Sequence, residues 1–405
     1  MIEKQTSLRS IKKSIPGTIF AIGISSMLIN MATSVVFSGS ALYLKTVLGV
    51  AVSTIGALEA LVEAIAYGIR IFSGMISDYF KKRKALMVIG FAMIAISKPL
   101  LAFSKTFGTV LASRTIDRIG NGIQASPRDA LISDVSPEKS KGTCYGLRQS
   151  LAVLGSTLGG LFGIAIMKLT NNNFELMFVL AGIPAVIAVV ILLLFVKEKF
   201  NKQEVKQKQT KIKYKDLCSL GKRYWILLVI VACFMLARFS EVFITLHACG
   251  NFGLNVAYGT VITMIYNLLS VFVAYPMGIL SDRVNRLNVL LLGVIILCIS
   301  HLCLGYASSL NGVILGTAFW GIQRGITDSV LATLVSDYVP KNVRGTAFGL
   351  FYLVVSLSTA AASAIAGRIA QAGGEGSAYI FGSKICIIAI ILLVIMKRIM
   401  NRQSD

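Results

Sequence analysis

Negative charge is scarce in this chain. Its 405 residues hold 18 Asp and Glu against 40 Lys and Arg, and charged residues of both signs make up only 14 %. Soluble domains carry about 25 %, and here apolar stretches of roughly 20 residues recur along the whole length. A large soluble helical protein is therefore excluded. Histidine is nearly missing, with two residues, and the seven cysteines (144, 218, 233, 249, 298, 303 and 386) show no C-x-x-C spacing. That removes zinc and disulfide frameworks and leaves the thiols as small apolar side chains. No nucleotide-cradling glycine loop, metal-ligand cluster or catalytic constellation is found, which points away from an enzyme and from any cofactor. The first apolar segment, from near Pro16, has no A-x-A cleavage site and reads as a retained helix rather than a signal peptide.

What is present is a net charge of +22, which in a soluble protein would indicate nucleic acid. Its distribution says otherwise. Basic residues cluster at Lys4, Arg9, Lys12 and Lys13, at "KKRK" (81–84), along 197–223, and around 283–286, 341–344 and 397–402. The intervening loops hold only Lys45, Lys105 and Lys168. This alternation follows the positive-inside rule and predicts that both termini are cytoplasmic. Apolar windows fall at about 17–43, 50–76, 85–104, 108–134, 142–168 and 174–196, then at about 224–248, 256–280, 287–307, 310–337, 345–370 and 377–396. The reading is twelve spans, six on each side of a lysine-rich linker.

The halves repeat. "GMISDYFKKRK" from Gly74 returns as "GILSDRVNRLN" from Gly278, 204 residues on, and "DVSPEKSKGTCYGL" (134–147) returns as "DYVPKNVRGTAFGL" (337–350), displaced by 203. A duplicated six-helix unit is a known way to build a transporter around a site between the repeats. The expected architecture is an all-α membrane protein with 12 transmembrane helices in two pseudo-symmetric six-helix bundles. The expected parts are an N-terminal bundle (1–196), a basic cytoplasmic linker (197–223) and a C-terminal bundle (224–405).

The repeated loops resemble the G-x-L-x-D-R-x-G-R-[RK] motif of the major facilitator superfamily, and the resemblance covers nearly the whole chain. Gly74, Asp78, Lys82 and Arg83 match it in the first half, with Tyr79 and Lys81 departing; Gly278, Leu280, Asp282, Arg283 and Arg286 match in the second, with Asn285 departing. Glycine permits close helix approach, and the acid and bases can tie the loop to helix ends nearby. Asp134 and Asp337, ending the fourth helix of each half, are the expected partners of a cytoplasmic latch. The blander reading is a loop whose charges only anchor topology.

"ASRTIDRIGNGIQASPRDALISD" (112–134) is the most charged apolar window. At about 100° per residue, Arg114, Asp117, Arg118, Asn121, Gln124, Arg128 and Asp129 fall within an arc of roughly 140°. Ile116, Ile119, Ile123 and Ala130 lie opposite. Such a stripe turns from lipid towards protein or water. The family's fourth-helix motif, R-x-x-Q-G-x-G, overlays with Arg114 on its Arg and Gly120 on its last Gly, with Asp117 and Arg118 where Gln and Gly are usual. The stretch also resembles a bacterial subgroup of the family, which implies a bacterial inner membrane. On the fifth helix Gly146, Gly155, Gly159 and Gly163 fit the family's antiporter motif, while Gly160 replaces its proline and Ile164 its last glycine. Helix packing by small residues is the equal alternative.

Further charges mark a candidate substrate and proton pathway. Glu59, Glu63 and Arg70 share one face of the second helix; Arg238 and Glu241 stand i, i+3 on the seventh, and Arg324 and Asp328 i, i+4 on the tenth. Any one pair alone reads equally well as a structural salt bridge. His247, His301, Trp225 and Trp320 read as packing or interface residues. The resemblance implies a secondary active transporter working by alternating access, coupled to protons and leaning towards efflux antiport. The alternative is import of an anionic or zwitterionic nutrient, metabolite or metal chelate, since paired arginines suit carboxylate or phosphate. A reading from another class is a non-transporting receptor on a transporter fold. Partners are then a small-molecule substrate, a coupling proton and the lipid bilayer, without nucleic acid, in a monomer. Asp117 is the first candidate for the coupling acid, followed by Glu63, with Asp328 a rival.

Overall fold

The computed structural model describes residues 15–198, 220–252 and 259–401. The N-terminal basic cluster, most of the linker and Cys218 lie outside the described residues. The first half is built of α1 (Gly17–Thr46), α2 (Val52–Phe80), α3 (Arg83–Ala102), α4 (Phe107–Val135), α5 (Lys141–Leu169) and α6 (Phe174–Phe195). The second is built of α7 (Lys222–Ala237), α8 (Val242–Phe252), α9 (Gly259–Arg283), α10 (Arg286–Gly305), α11 (Leu310–Tyr338), α12 (Arg344–Gly373) and α13 (Glu375–Asn401). Because α7 and α8 share one span, these are twelve crossings in two six-helix bundles, as the windows predict. Among the described residues, nine helical stretches are apolar enough to cross a bilayer unaided. The three that fall short are α2, α4 and α11, the helices that carry most of the intramembrane charges.

Local chemistry sets the boundaries. Thr106 and Thr109 form a capping box at the start of α4, and Asn173 and Asn285 accept from the first-turn N–H groups of α6 and α10. Pro137 and Pro340 each open a one-turn 3₁₀ helix, Glu138–Ser140 and Lys341–Val343, that leads into the next long helix. Just past α6, Glu198 accepts from the N–H groups of Arg83 (2.8 Å) and Lys84 (3.3 Å), so it caps α3 from outside the membrane. Burial pushes its carboxyl up, although those two donors pull it down.

The repeat has a structural register. α4 and α11, the two 3₁₀ turns, and α5 and α12 all begin 203 residues apart, whereas Gly74 and Gly278 are separated by 204. The first-half loop between Asp78 and Arg83 is one residue longer than that between Asp282 and Arg286. The chain turns there at Lys81, which sits in the left-handed region at φ 51°. Within each half the packing order is the same: α1 on α5 and α6, α6 on α3, α3 on α4, α4 on α2; and α7 on α12 and α13, α13 on α10, α10 on α11, α11 on α9. Between halves the main contacts are α2 on α12 and α9 on α5, which are equivalent under the repeat.

The seventh span departs from the sequence expectation of one continuous helix over 224–248. It is interrupted at Arg238–Glu241, so Arg238 and Glu241 are not neighbours on one helical face. Irregular backbone at membrane depth must have its polar groups satisfied by protein or water. Here His301 donates from Nε2 to the Ala237 carbonyl (2.8 Å), and the Ser240 N–H donates to Ser363 Oγ (3.1 Å). Phe239, inside the break, packs among Phe243, His301, Trp320 and Tyr379. His301 and Trp320 are thus fully buried packing residues, as expected, while Trp225 is exposed on the outside of α7.

Candidate functional site

Two equivalent clusters bind the halves together at the face carrying the repeated loops, called the basic face below. Asp78, near the end of α2, accepts from the backbone N–H groups of Gly345 (2.9 Å) and Thr346 (2.6 Å) and from the Thr346 hydroxyl (2.8 Å). Asp282, near the end of α9, takes the same three bonds from Gly142 (2.8 Å) and Thr143 (2.7 Å, twice). Each carboxylate thus caps the N-terminus of a helix in the other half, where unpaired N–H groups and the helix dipole favour negative charge. Arg83 bridges Asp78 (3.4 Å) and Asp134 (2.8 Å), and Asp134 also receives Arg344 (2.9 Å) from the other half. In the copy, Arg286 bridges Asp282 (3.2 Å) and Asp337, and Asp337 also receives Lys141 (3.5 Å).

Glycine is required at these crossings. A Cβ on Gly74 would run into the Gly345 carbonyl, and one on Gly142 would lie 2.6 Å from the Gly278 carbonyl. Where the two-fold passes, the hydroxyls of Ser133 and Ser336, themselves 203 residues apart, hydrogen-bond to each other. Lys82 and Arg283, matched to the loop motif by sequence, are exposed and take no part in the ion pairs.

Beyond these contacts lies a cavity of about 380 Å³, which shares lining residues with a second of about 190 Å³. The cavity charges are only partly buried, the Asp328, Arg324 and Glu241 side chains being 21 %, 25 % and 32 % exposed, whereas Asp78 and Asp282, the acids that cap the opposite helices, are 1 % and 6 % exposed. Arg238, in the broken span, pairs with Asp328 (2.7 Å); Arg324 pairs with Glu241 (3.1 Å) and more loosely with Asp328 (3.6 Å). Two cross-ties join the halves at this level. Gln149 donates to Asp328 (3.0 Å), and Tyr352 donates to Asp129. Gln149 and Tyr352 are repeat-equivalent positions.

The charged stripe of α4 faces protein, as its periodicity predicts: Arg114, Asp117, Arg118, Gln124, Arg128 and Asp129 are all buried, whereas Ile116, Ile119 and Ile123 are half-exposed. Ala130, expected with the isoleucines, is buried because residues 124–133 of α4 are enclosed on every side. Three rungs tie α4 to α2: Arg114 to Glu59 (2.6 Å), Arg118 to Glu63 (2.8 Å) and Arg70 to Asn121 (3.0 Å). Asp117 points elsewhere, into the interior of the first bundle, where Lys98 from α3 holds it with Arg114 (3.9 Å) and Arg118 (3.5 Å). It does not line the cavity. The four fifth-helix glycines divide between two contacts: Gly146 meets α9 at the Ala274 carbonyl (2.6 Å), while Gly155, Gly159 and Gly163 receive α1 along Met27, Met31 and Val35. The approach leaves no room for a side chain at Gly146, Gly155 and Gly159, while a Cβ on Gly163 would make ordinary contact with Val35 at 3.8 Å.

A family profile described as the Major Facilitator Superfamily matches residues 22–264 and 242–404. The chain belongs to this superfamily. An uncharacterized MFS-type transporter of Methanocaldococcus jannaschii is 29 % identical over 382 residues, covering 93 % of this chain and 94 % of the relative. The arabinose-proton symporter of Bacillus subtilis is 22 % identical over 323 residues, 69 % of each chain. Among solved structures, the human organic anion transporter MFSD10 superposes with a TM-score of 0.78, covering 94 % of this chain and 100 % of that one at 16 % identity. That likeness shows the fold. Family and fold together make this a multi-pass membrane transporter.

Several participants in the cross-half contacts and the cavity were not found from sequence. Gly142, Thr143, Gly345 and Thr346 stand in the quoted repeat, and the recurring Gly-Thr pair was the available signal. Lys98 is a lone base in an apolar run and carries no pattern. Gln149 and Tyr352 could have been found by asking which polar residues of the duplicated helices fall at one register, whereas Arg148, whose equivalent is Phe351, could not.

Proposed function

We propose that this protein is a secondary active transporter whose two bundles rock about the axis at Ser133 and Ser336, the structure being the state closed at the basic face. That face is cytoplasmic and both termini lie inside, so the cavity opens outward. The observation that carries this reading is the doubled latch. Two identical sets of bonds, one from each repeat, close one end of a charged cavity between rigid halves. A topology anchor would need the bases but not the cross-bundle capping by Asp78 and Asp282.

Coupling to protons is part of the proposal. Asp117 is sealed by three bases, and a coupling acid needs access to water in at least one state. Glu63, a third exposed and held by one guanidinium, suits the role better. The proton named for the Bacillus subtilis relative is in keeping with it.

The test is a solute screen on purified protein followed by flux in proteoliposomes. A ligand that binds the folded state raises apparent stability. The expected result is that such a solute is moved by wild type and that Asp78→Asn slows flux while binding persists. A protein that binds its solute but passes none in either direction would be a receptor instead.

A further inference from the structure

The charged groups of the membrane interior fall into three clusters, and two of them balance. Between α2, α3 and α4, Lys98, Arg114 and Arg118 face Glu59, Glu63 and Asp117. On the second half, Arg238 and Arg324 face Glu241 and Asp328. The third cluster does not balance. Arg70, Arg128 and Arg148 line one cavity, and the carboxylate paired with any of them among the described residues is Asp129, which meets Arg128 and Arg148 only.

Asp129 is already committed. Arg128 holds it through Nε (2.9 Å) and a second nitrogen (3.2 Å), and the Tyr352 hydroxyl donates to it as well. Arg148 reaches it only at 3.9 Å, and its buried Nε has no hydrogen-bond acceptor. Arg70 has no ion pair among the described residues. Its guanidinium rests on the rings of Tyr67 (4.6 Å) and Tyr352 (5.0 Å) and donates to Asn121. Both arginines line both parts of the cavity. A guanidinium held away from bulk water without a counter-charge is costly, and an oxyanion accepting its fork of donors removes the cost.

The second half lines the same space with an apolar patch, Met235, Phe239, Leu331, Phe351 and Val355, beside two arginines and two carboxylates that pair with one another. The repeat makes the contrast sharper. Phe351 stands at the position equivalent to Arg148, Leu331 at that of Arg128, and Ala274 at that of Arg70. At these positions the first half carries arginines where the second carries apolar side chains, two of which, Leu331 and Phe351, line the cavity.

We infer that the cavity binds an organic oxyanion, its carboxylate or phosphate held between Arg70 and Arg148 and its apolar body laid against the second half. A zwitterion is disfavoured, because both cavity carboxylates near the second half already have guanidinium partners. This rests on the transporter reading and adds the substrate class to it.

The test uses full-length protein in detergent and one aromatic scaffold in five forms: benzoate, phenylphosphonate, benzenesulfonate, neutral benzamide and cationic benzylamine. Thermal stability and calorimetric affinity are measured for wild type, Arg70→Gln, Arg148→Gln and, as the charge-keeping control, Arg148→Lys. At least one anion should raise the melting temperature while benzamide and benzylamine do not. Each Gln variant should weaken anion binding about tenfold to a hundredfold, the range for a hydrogen bond to a charged group. Arg148→Lys should recover part of that loss. The ligand-free melting temperatures establish that each variant is folded. The relative affinity of benzoate and phenylphosphonate separates a carboxylate site from a phosphate one. Binding of benzamide or benzylamine as tight as the anions, no binding of any anion at millimolar concentration, or anion binding unchanged in both Gln variants each overturns the inference. Anion binding without flux would refute transport while leaving the site. Flux of an anion unaffected by both Gln variants would do the reverse.

Discussion

Replacing Asp78 by Asn perturbs one of the two latches without changing its shape. The carboxylate is buried and takes three hydrogen bonds from the start of α12, two on one oxygen and one on the other. An amide keeps one acceptor and turns the other into an NH₂ group facing an N–H donor. At least one charge-assisted bond is therefore lost, worth about 1.5–3 kcal/mol, and the displaced donor is left partly unsatisfied. The interaction with the positive end of α12 weakens as well. Together these come to about 2–4 kcal/mol, a shift of roughly thirtyfold to several hundredfold in the opening equilibrium. A latch closed 99 times in 100 would then be open for a large share of the time.

The reporter for that shift is Ser336→Cys in a background without the native cysteines. Ser336 is fully buried against Ser133 at the closed end. An impermeant maleimide applied from the basic side should label it slowly in the parent and much faster when Asp78→Asn is added. Asp282→Asn, which breaks the equivalent bonds to Gly142 and Thr143, should accelerate labelling to a similar degree. If both variants fold and the labelling rate from the basic side stays within about twofold of the parent, the contacts gate nothing and the loops are anchors only.

Asp117→Asn should destabilise the first bundle by about 3–5 kcal/mol, because Lys98 is left as a fully buried unpaired charge. Joint replacement of Lys98 and Asp117 by Met and Leu should restore most of the melting temperature; equal melting for Asp117→Asn and wild type would return Asp117 to the coupling candidates. Glu63→Gln should abolish accumulation driven by a pH gradient and preserve solute exchange, and normal uphill accumulation by that variant would remove Glu63 from the pathway. His301→Phe should lower stability by about 1–3 kcal/mol by leaving the Ala237 carbonyl without a donor, and an unchanged melting temperature would mean that the broken span satisfies itself by another route.

The legibility of this chain followed periodicity. The α4 stripe could be read because seven polar residues obey the helical repeat, and the structure buries that face. The ion pairs at the repeated loops could be read in outline because their acids recur at offsets of 204 and 203, so Arg83 meets Asp134 and Arg286 meets Asp337. What escaped were contacts made by backbone. The strongest bonds to Asp78 and Asp282 come from N–H groups, which every residue but proline possesses and which leave no mark in composition. The break in the seventh span escaped for a related reason. Leu236 to Phe243 includes neither Gly nor Pro, and the helix opens because His301, Ser363 and the Phe239 ring contacts from distant helices support it. Pairings of Arg238 and Glu241 changed with it, from each other to Asp328 and Arg324.

The repeat has been kept in one part of the molecule and erased in another, and the division is physically reasonable. Rocking two rigid halves about an axis breaks matched contacts on the two sides of that axis. Any imbalance between the latches would load one crossing before the other. The basic face has accordingly retained the same acid, the same Gly-Thr helix start and the same bridging arginine in each copy, with Lys141 against Arg344 the one difference among its cross-half bases. A solute has no such two-fold symmetry. One that binds by a charged end and an apolar body is held best where equivalent positions differ, and at the cavity they do: Arg148 against Phe351, Arg128 against Leu331, and an amide at Gln149 against a phenol at Tyr352. Those last two still make the same cross-tie, each to a carboxylate of the other half. On the anion reading proposed above, the duplicated positions would keep their tie across the halves while their differing chemistry served recognition.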